Sequence, residues 1–210
     1  MDISSSKRSA RKINVRRMAV IGILSAISIM LSMIPGIGYI PIGPTNATIM
    51  HIPVIIGAII EGPVVGIAIG FMFGMTSLVR ALTMPTPTTF PFINPLISVL
   101  PRLLIGIGAY YIFKLVMKST KENKALAGWI AGLFGSIINT VGVLGMIYLL
   151  YGTRYAEGYA QATETAVESA GVLISTLILT NGIPEAIVGG FLVSALSVAL
   201  VKVKKRKREK

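Results

Sequence analysis

From Gly171 to Val201 the chain carries a single charge, Glu185, set within Asn181-Gly182-Ile183-Pro184-Glu185-Ala186. An apolar stretch longer than the roughly 20 residues a helix needs to cross a bilayer reads as a transmembrane segment. A carboxylate placed there has no bulk water to solvate it. Turning it toward lipid costs several kcal/mol, so such residues face a bundle interior or an aqueous cavity and mark a substrate path or an ion pair. The chain is therefore expected to fold as a helical membrane protein in which something meets Glu185.

The composition agrees: of 210 residues, 53% are hydrophobic and 13% charged, far from the balance of a soluble domain. Cysteine is absent, which excludes disulfides and thiolate metal sites, and the single His51 excludes a multi-histidine metal centre. A net charge of +12 raises nucleic acid as a partner, but 17 of the 20 Lys and Arg fall in three short segments. These are the N-terminal tail up to Arg17, the C-terminal tail from Lys202, and the stretch Lys114 to Lys124. That is the positive-inside distribution, and the tails also suit anionic headgroups. The lipid bilayer, and no nucleic acid, is the expected surface partner.

Residues 1–15 read as a basic cytoplasmic tail, 16–203 as one six-helix transmembrane domain, and 204–210 as a second basic cytoplasmic tail. The apolar run Met18 to Ile34 is long for a signal-peptide core and no small-x-small site follows, so it is expected to stay as span 1. Pro35 to Pro44 is rich in Pro and Gly yet uncharged, which predicts an ordered apolar loop acting as a lid or pocket wall. Span 2, about Ala47 to Ile60, is short, and Glu61-Gly62-Pro63 makes a tight turn. Span 3, Val64 to about Leu82, continues a ladder of Gly62, Gly66, Gly70 and Gly74, whose spacing of four forms one stripe for close helix packing. An outer loop Thr83–Asn94 leads to span 4, about Pro95 to Val116. Span 5 runs from Ala125 to Tyr151 with small residues at Gly128, Gly132 and Ser136. The outer loop Gly152–Ser169 has an Ala-rich pattern that allows a surface helix, and span 6 returns to the basic tail. The expectation is an all-α integral membrane protein with six transmembrane helices and both termini cytoplasmic, in the cell membrane.

No Walker A, HExxH or GxSxG pattern occurs, so the chain shows no means of hydrolysing nucleotide and little sign of intramembrane enzymology. What it shows is a set of polar residues at similar predicted depth: His51, Arg102, Asn139, Asn181 and Glu185. At about 1.5 Å per helical residue, His51, Arg102 and Glu185 lie roughly 15, 18 and 25 Å from the inner boundary, which predicts a pocket open to the outside. Bland readings stand beside this one. Arg102 and Glu185 form a structural ion pair, His51 is a satisfied interior histidine, Asn139 and Asn181 bridge helices, and Arg80 snorkels to the interface. Pro101 and Pro184 each leave a backbone carbonyl unpaired, open to a ligand or to these same side chains.

Four segments carry a family resemblance: Gly38 to Pro44; His51 to Ala58 followed by Glu61-Gly62-Pro63; Pro101 to Gly106; and Asn181 to Ala186. From Arg16 to Val201 the chain resembles the substrate-binding S component of an energy-coupling factor (ECF) vitamin transporter, closest to the pantothenate type, with the hydroxymethylpyrimidine or pyridoxine type nearby. The resemblance implies the six-helix S-component fold and an outward pocket for a water-soluble vitamin, pantothenate first among the candidates. The candidate binding residues are Tyr39, Asn46, His51, Arg80, Asn94, Arg102, Asn139, Asn181 and Glu185. It further implies no cofactor, a transmembrane coupling protein and two cytoplasmic ATPase subunits that hydrolyse ATP, and a toppling motion that delivers the vitamin. Docking on the coupling protein falls to a small-residue stripe on span 1, where Gly22-x-x-x-Ala26, with Ala19 a turn earlier, stands for the family's Ala-x-x-x-Ala. An anionic vitamin would be held by Arg102 or Arg80 through a charge-assisted fork, with Glu185 orienting the Arg or accepting from ligand hydroxyls. A neutral or cationic vitamin would use Glu185 directly. Readings of other classes are an intramembrane enzyme using His51 and Glu185 as acid and base, and a scaffold in which Arg102, Asn139 and Glu185 matter only for stability.

Overall fold

The computed structural model describes residues 15–34, 38–42 and 45–206, apart from the side chains of 39–47 and 201–206. Helix α1 (Val15–Met33) turns the usual amphipathic pattern inside out. Its buried residues are Ser25, Ser28 and Ser32, while Met18, Ile23, Ile27 and Met30 face outward. Spacings of three and four put the serines on one helix face. In lipid an apolar face needs no cover, whereas hydroxyls need partners. Ser28 Oγ donates to the Met50 carbonyl at 2.7 Å, and Ser32 Oγ to the Ser28 carbonyl at 2.7 Å.

The segment expected as an apolar loop contains instead an antiparallel hairpin of β1 (Tyr39–Ile42) and β2 (Thr45–Thr48), with Tyr39 opposite Thr48 and Ile42 opposite Thr45. This corrects the all-helical expectation and the start of span 2. Strand pairing carries the chain to Thr48, so α2 (Ile52–Glu61) begins later and has only 10 residues. At the helical rise that is about 15 Å, half the depth of a bilayer core. Eight of its residues, Ile52 to Ile59, are buried, so neighbouring helices cover α2 on all sides. Among the described residues, five helical segments are long and apolar enough to cross a membrane: Val15–Met33, Pro63–Thr83, Pro95–Ser119, Lys124–Thr163 and Ala170–Leu200.

Gly62 turns the chain from α2 into α3 (Pro63–Thr83) with φ of 102°, a conformation that L side chains rarely adopt. The remaining glycines of that ladder serve internal packing. A Cβ on Gly66 would strike Ala58 and Gly106, one on Gly70 the Arg102 carbonyl, and one on Gly74 the Ser98 carbonyl and Val99. Thus α3 lies backbone to backbone against α4 (Pro95–Ser98) and α5 (Leu100–Ser119). The same device joins α6 (Lys124–Thr163) to α8 (Ile183–Arg206), where Gly128 meets Ser194 and Ser197, and Gly132 meets Gly189 and Gly190. Around α2, Val54, Ile55 and Ile56 share one core with Ile69, Ile105, Ala131 and Val193.

Two segments depart from their expected course. Helix α6 does not end at Tyr151: it kinks there (φ −140°, ψ 17°) and continues to Thr163. Its last turns pack Tyr155 and Ala156 against Ile97, Val143, Leu173 and Ile174, an apolar contact that holds the segment helical. The final span is broken into α7 (Ala170–Leu177), a π turn Ile178–Gly182, and α8. Pro184 lacks the N–H that would close the next helical bond, and the wide turn sits directly before it. At the opposite end, Glu61, placed by its sequence in a turn, has a side chain only 7% exposed, with Arg16 Nη2 at 2.9 Å and Arg17 Nε at 3.8 Å.

Candidate functional site

A cavity of about 510 Å³ opens where α3 finishes and where α5 and α8 begin. Five of the polar residues singled out above line it: Arg80 of α3, Arg102 of α5, Asn139 of α6, Asn181 of the π turn and Glu185 of α8. Phe73, Phe92 and Val143 supply apolar walls.

Arg102 is set by its neighbour. Pro101 has no N–H to give the Ile97 carbonyl, four residues earlier, and Arg102 Nη1 donates to that carbonyl instead at 2.7 Å. The guanidinium carbon lies 5.3 Å from the Phe73 ring centre and 5.4 Å from that of Phe92, within cation–π range. Arg102 is 5% exposed, its Nε is buried without a hydrogen-bond partner, and among the described residues no carboxylate pairs with it. The Arg102–Glu185 ion pair, one of the two readings of these residues, is not formed. The Ile97 carbonyl and the two rings tether the guanidinium on one wall, while other groups claim the carboxylate on another.

Those groups come from α6 and from the turn before α2. Glu185 Oε1 accepts from Asn139 Nδ2 at 3.1 Å and Thr140 Oγ1 at 3.4 Å, and stands 3.4 Å from His51 Nδ1. His51 is fully buried and does not line the cavity. Its Nε2 lies 2.8 Å from Ser136 Oγ, which in turn donates to the Gly132 carbonyl at 2.9 Å. His51 is thus interior but not fully satisfied, since its Nδ1 is buried without a hydrogen-bond partner. An acid–base role needs reach to a substrate proton, and this ring sits behind the cavity wall.

Arg80 does not snorkel outward. It lines the cavity, and its Nη1 donates to the Ser32 carbonyl, tying α3 to α1. Asn94 lies away from the cavity lining: its Oδ1 caps α4 by accepting from Leu96 N at 3.0 Å, and its Nδ2 donates to the Tyr151 hydroxyl at 3.4 Å. The side chains of Tyr39 and Asn46 lie outside the described residues. On α1, Ala19, Gly22 and Ala26 are all exposed, and a Cβ at Gly22 would meet nothing within 4 Å. Sequence reasoning passed over Thr48, Thr140, Tyr155 and the partner role of Ser136. A signal was present in α6, where Ser136, Asn139 and Thr140 follow the i, i+3, i+4 spacing of one helix face.

Residues 16–201 match the family model for the substrate-specific component of ECF transporters. The chain is 31% identical over 175 residues to the pantothenic acid transporter PanT of Lactococcus lactis subsp. cremoris, covering 77% of this chain and 81% of that protein. It is 28% identical over 194 residues to the pantothenate transporter PanT of Leuconostoc mesenteroides, covering 86% of this chain and 90% of the relative. The fold is similar to that of ThiT from Listeria monocytogenes, with a TM-score of 0.62 at 19% identity over 90% of this chain and 96% of that one. These relatives make the chain a transporter component rather than an enzyme. The family match takes in the hairpin, the Pro101–Arg102 turn and the Asn181–Glu185 break that together build the cavity, and on that extent the chain belongs to the family of ECF transporter substrate-specific components.

Proposed function

We propose that this chain is the membrane-embedded binding subunit of an ATP-driven ECF vitamin importer, and that its cavity takes pantothenate. The observation that carries the proposal is Arg102, a buried guanidinium on the cavity wall with an unpartnered Nε and, among the described residues, no carboxylate within ion-pair distance. Buried charges are costly unless paired, and a planar fork of N–H donors suits a carboxylate ligand. The carboxylate of pantothenate supplies that partner. Its hydroxyls and amide then face Asn139, Asn181 and Glu185 on the other wall. The names of the two PanT relatives support the same vitamin. A cavity of about 510 Å³ lies in the range of small-molecule sites.

In this reading the basic tails face the cytoplasm, the cavity faces outward, and the exposed small-residue stripe Ala19, Gly22 and Ala26 docks on a transmembrane coupling protein. Two cytoplasmic ATPase subunits supply the energy and toppling delivers the vitamin; the chain itself needs no cofactor. Titration of the purified protein in detergent, followed by calorimetry or Trp129 fluorescence, tests the binding step. Saturable pantothenate binding that disappears in Arg102→Ala is the expected result. Saturable binding of pyridoxine or hydroxymethylpyrimidine, with none of pantothenate, would move the specificity to a neutral or cationic vitamin held through Glu185.

A further inference from the structure

We propose that Ser136 and His51, behind the cavity wall, form with Glu185 on it a proton-binding relay, which takes up a proton when an anionic ligand enters. The ligand's charge rests on the pantothenate reading; the relay rests on the Ser136–His51 hydrogen bond and the close approach of His51 to Glu185. Ser136 has one hydroxyl hydrogen and two acceptors in reach, the Gly132 carbonyl at 2.9 Å and His51 Nε2 at 2.8 Å. The other ring nitrogen, Nδ1, is buried without a hydrogen-bond partner and faces Glu185 Oε1 at 3.4 Å, and that oxygen already accepts from Asn139 and Thr140.

Two arrangements place the hydrogens of these groups. In the first, Ser136 donates to Gly132, so His51 Nε2 must carry a hydrogen and donate to Ser136 Oγ. Nδ1 and Oε1 would then meet as two lone pairs unless a proton sits on one of them. This arrangement holds one proton more than a neutral imidazole beside a carboxylate. In the second, the Ser136 hydroxyl turns to donate to Nε2, and the single hydrogen of a neutral imidazole sits on Nδ1, facing Glu185. No extra proton is needed, and Gly132 keeps its place in the α6 helical ladder. The two arrangements differ by one proton and one hydroxyl rotation, with no backbone movement. Donor and acceptor roles in such a chain follow from the proton count.

The cavity supplies both the route and the bias. Glu185 lines it, so a proton drawn from the buffer reaches the carboxylate through water in the cavity. Among the described residues, the other titratable side chains on the cavity wall are Arg102 from α5, Arg80 from α3 and Tyr155 from α6. The cavity-lining residues of α1, β2 and the π turn are, among the described residues, Ser32, Thr48 and Asn181, none of them titratable, and Glu61 of α2 is paired with Arg16 and Arg17 at the far end. A second negative charge brought beside Arg102 is repelled by an ionised Glu185 across a poorly screened space. It therefore favours the arrangement with the extra proton. Arg and Tyr ordinarily titrate outside about pH 6 to 8, so linkage in that range reports on the relay.

The test is calorimetric titration of the full chain with pantothenate in buffers of different ionisation enthalpy, together with Kd measured from about pH 6 to 8. The expected result is a net uptake of up to about one proton per ligand, with Kd rising by up to about tenfold per pH unit where the relay titrates, as proton linkage requires. Ser136→Ala, which lies off the cavity wall, is expected to exchange no proton on binding, and His51→Asn is the second variant should that one fail to fold. Pantothenate binding whose enthalpy is independent of buffer across the range overturns this inference and leaves the binding proposal standing. Equal uptake in both variants overturns it as well, since the proton then resides elsewhere. Absence of any saturable pantothenate binding overturns the binding proposal and this inference with it.

Discussion

Arg102 and Glu185 face the same cavity from α5 and α8 and are not paired with one another. The guanidinium is tied to the Ile97 carbonyl at 2.7 Å, and the carboxylate accepts from Asn139 at 3.1 Å and Thr140 at 3.4 Å. A cation on one wall and a separately satisfied carboxylate on another give the cavity two poles. A direct ion pair would have neutralised both and left nothing for a charged ligand to read.

Truncation of the cation tests the first pole. Arg102→Ala should weaken pantothenate binding by at least about thirtyfold, or ~2 kcal/mol, the lower end for removing one partner of a buried, hydrogen-bonded charge pair. Arg102→Lys should recover only part of it, because a point charge replaces the planar fork. Unchanged affinity in Arg102→Ala by calorimetry would move the carboxylate to Arg80.

The second pole has a structural duty of its own. Glu185→Ala strands Asn139 Nδ2 and Thr140 Oγ1 without their shared acceptor. Buried donors left unsatisfied cost about 1–3 kcal/mol each, so thermal unfolding in detergent should shift clearly downward, and less so in Glu185→Gln, which keeps an acceptor oxygen. Equal melting temperatures for all three proteins would show that this carboxylate holds nothing together.

Glycines on the two kinds of stripe should respond in opposite ways. A side chain at Gly70 would run into the backbone of Arg102, so Gly70→Val should lower stability by about 1–3 kcal/mol, with loss of folded protein on size-exclusion chromatography. Gly22 has open space around it, so Gly22→Leu should leave the melting temperature and vitamin binding within error. On the docking proposal the same variant should fail to co-purify with the coupling protein. Normal assembly of Gly22→Leu would place the docking face elsewhere on the chain.

Much of the architecture was readable from the order of residues. The lone Glu185 in an apolar run, the four-residue glycine stripes and the proline that frees the Ile97 carbonyl each follow from what lipid and helix geometry allow a chain to bury. Five of the expected binding residues do meet in one cavity. Other features were out of reach. The β1–β2 hairpin forms from a Pro- and Gly-rich segment whose pairing register no periodicity announces. The shortness of α2 and its burial on all sides were not legible, because burial inside protein and burial in lipid select the same apolar residues. Helix α6 runs past Tyr151 because Tyr155 and Ala156 find a core to pack on, which their Ala-rich, polar surroundings did not reveal.

The partnerships at the site belong to the same second class. That Glu185 needed a partner was determined by the sequence alone, since a carboxylate in an apolar helix cannot stay unsatisfied. Which residues answer it was decided by the tertiary structure. Asn139, Thr140 and His51 reach it, and Arg102 does not, because helix rotation and relative depth place side chains to within an ångström, and both are products of packing between helices distant in the chain.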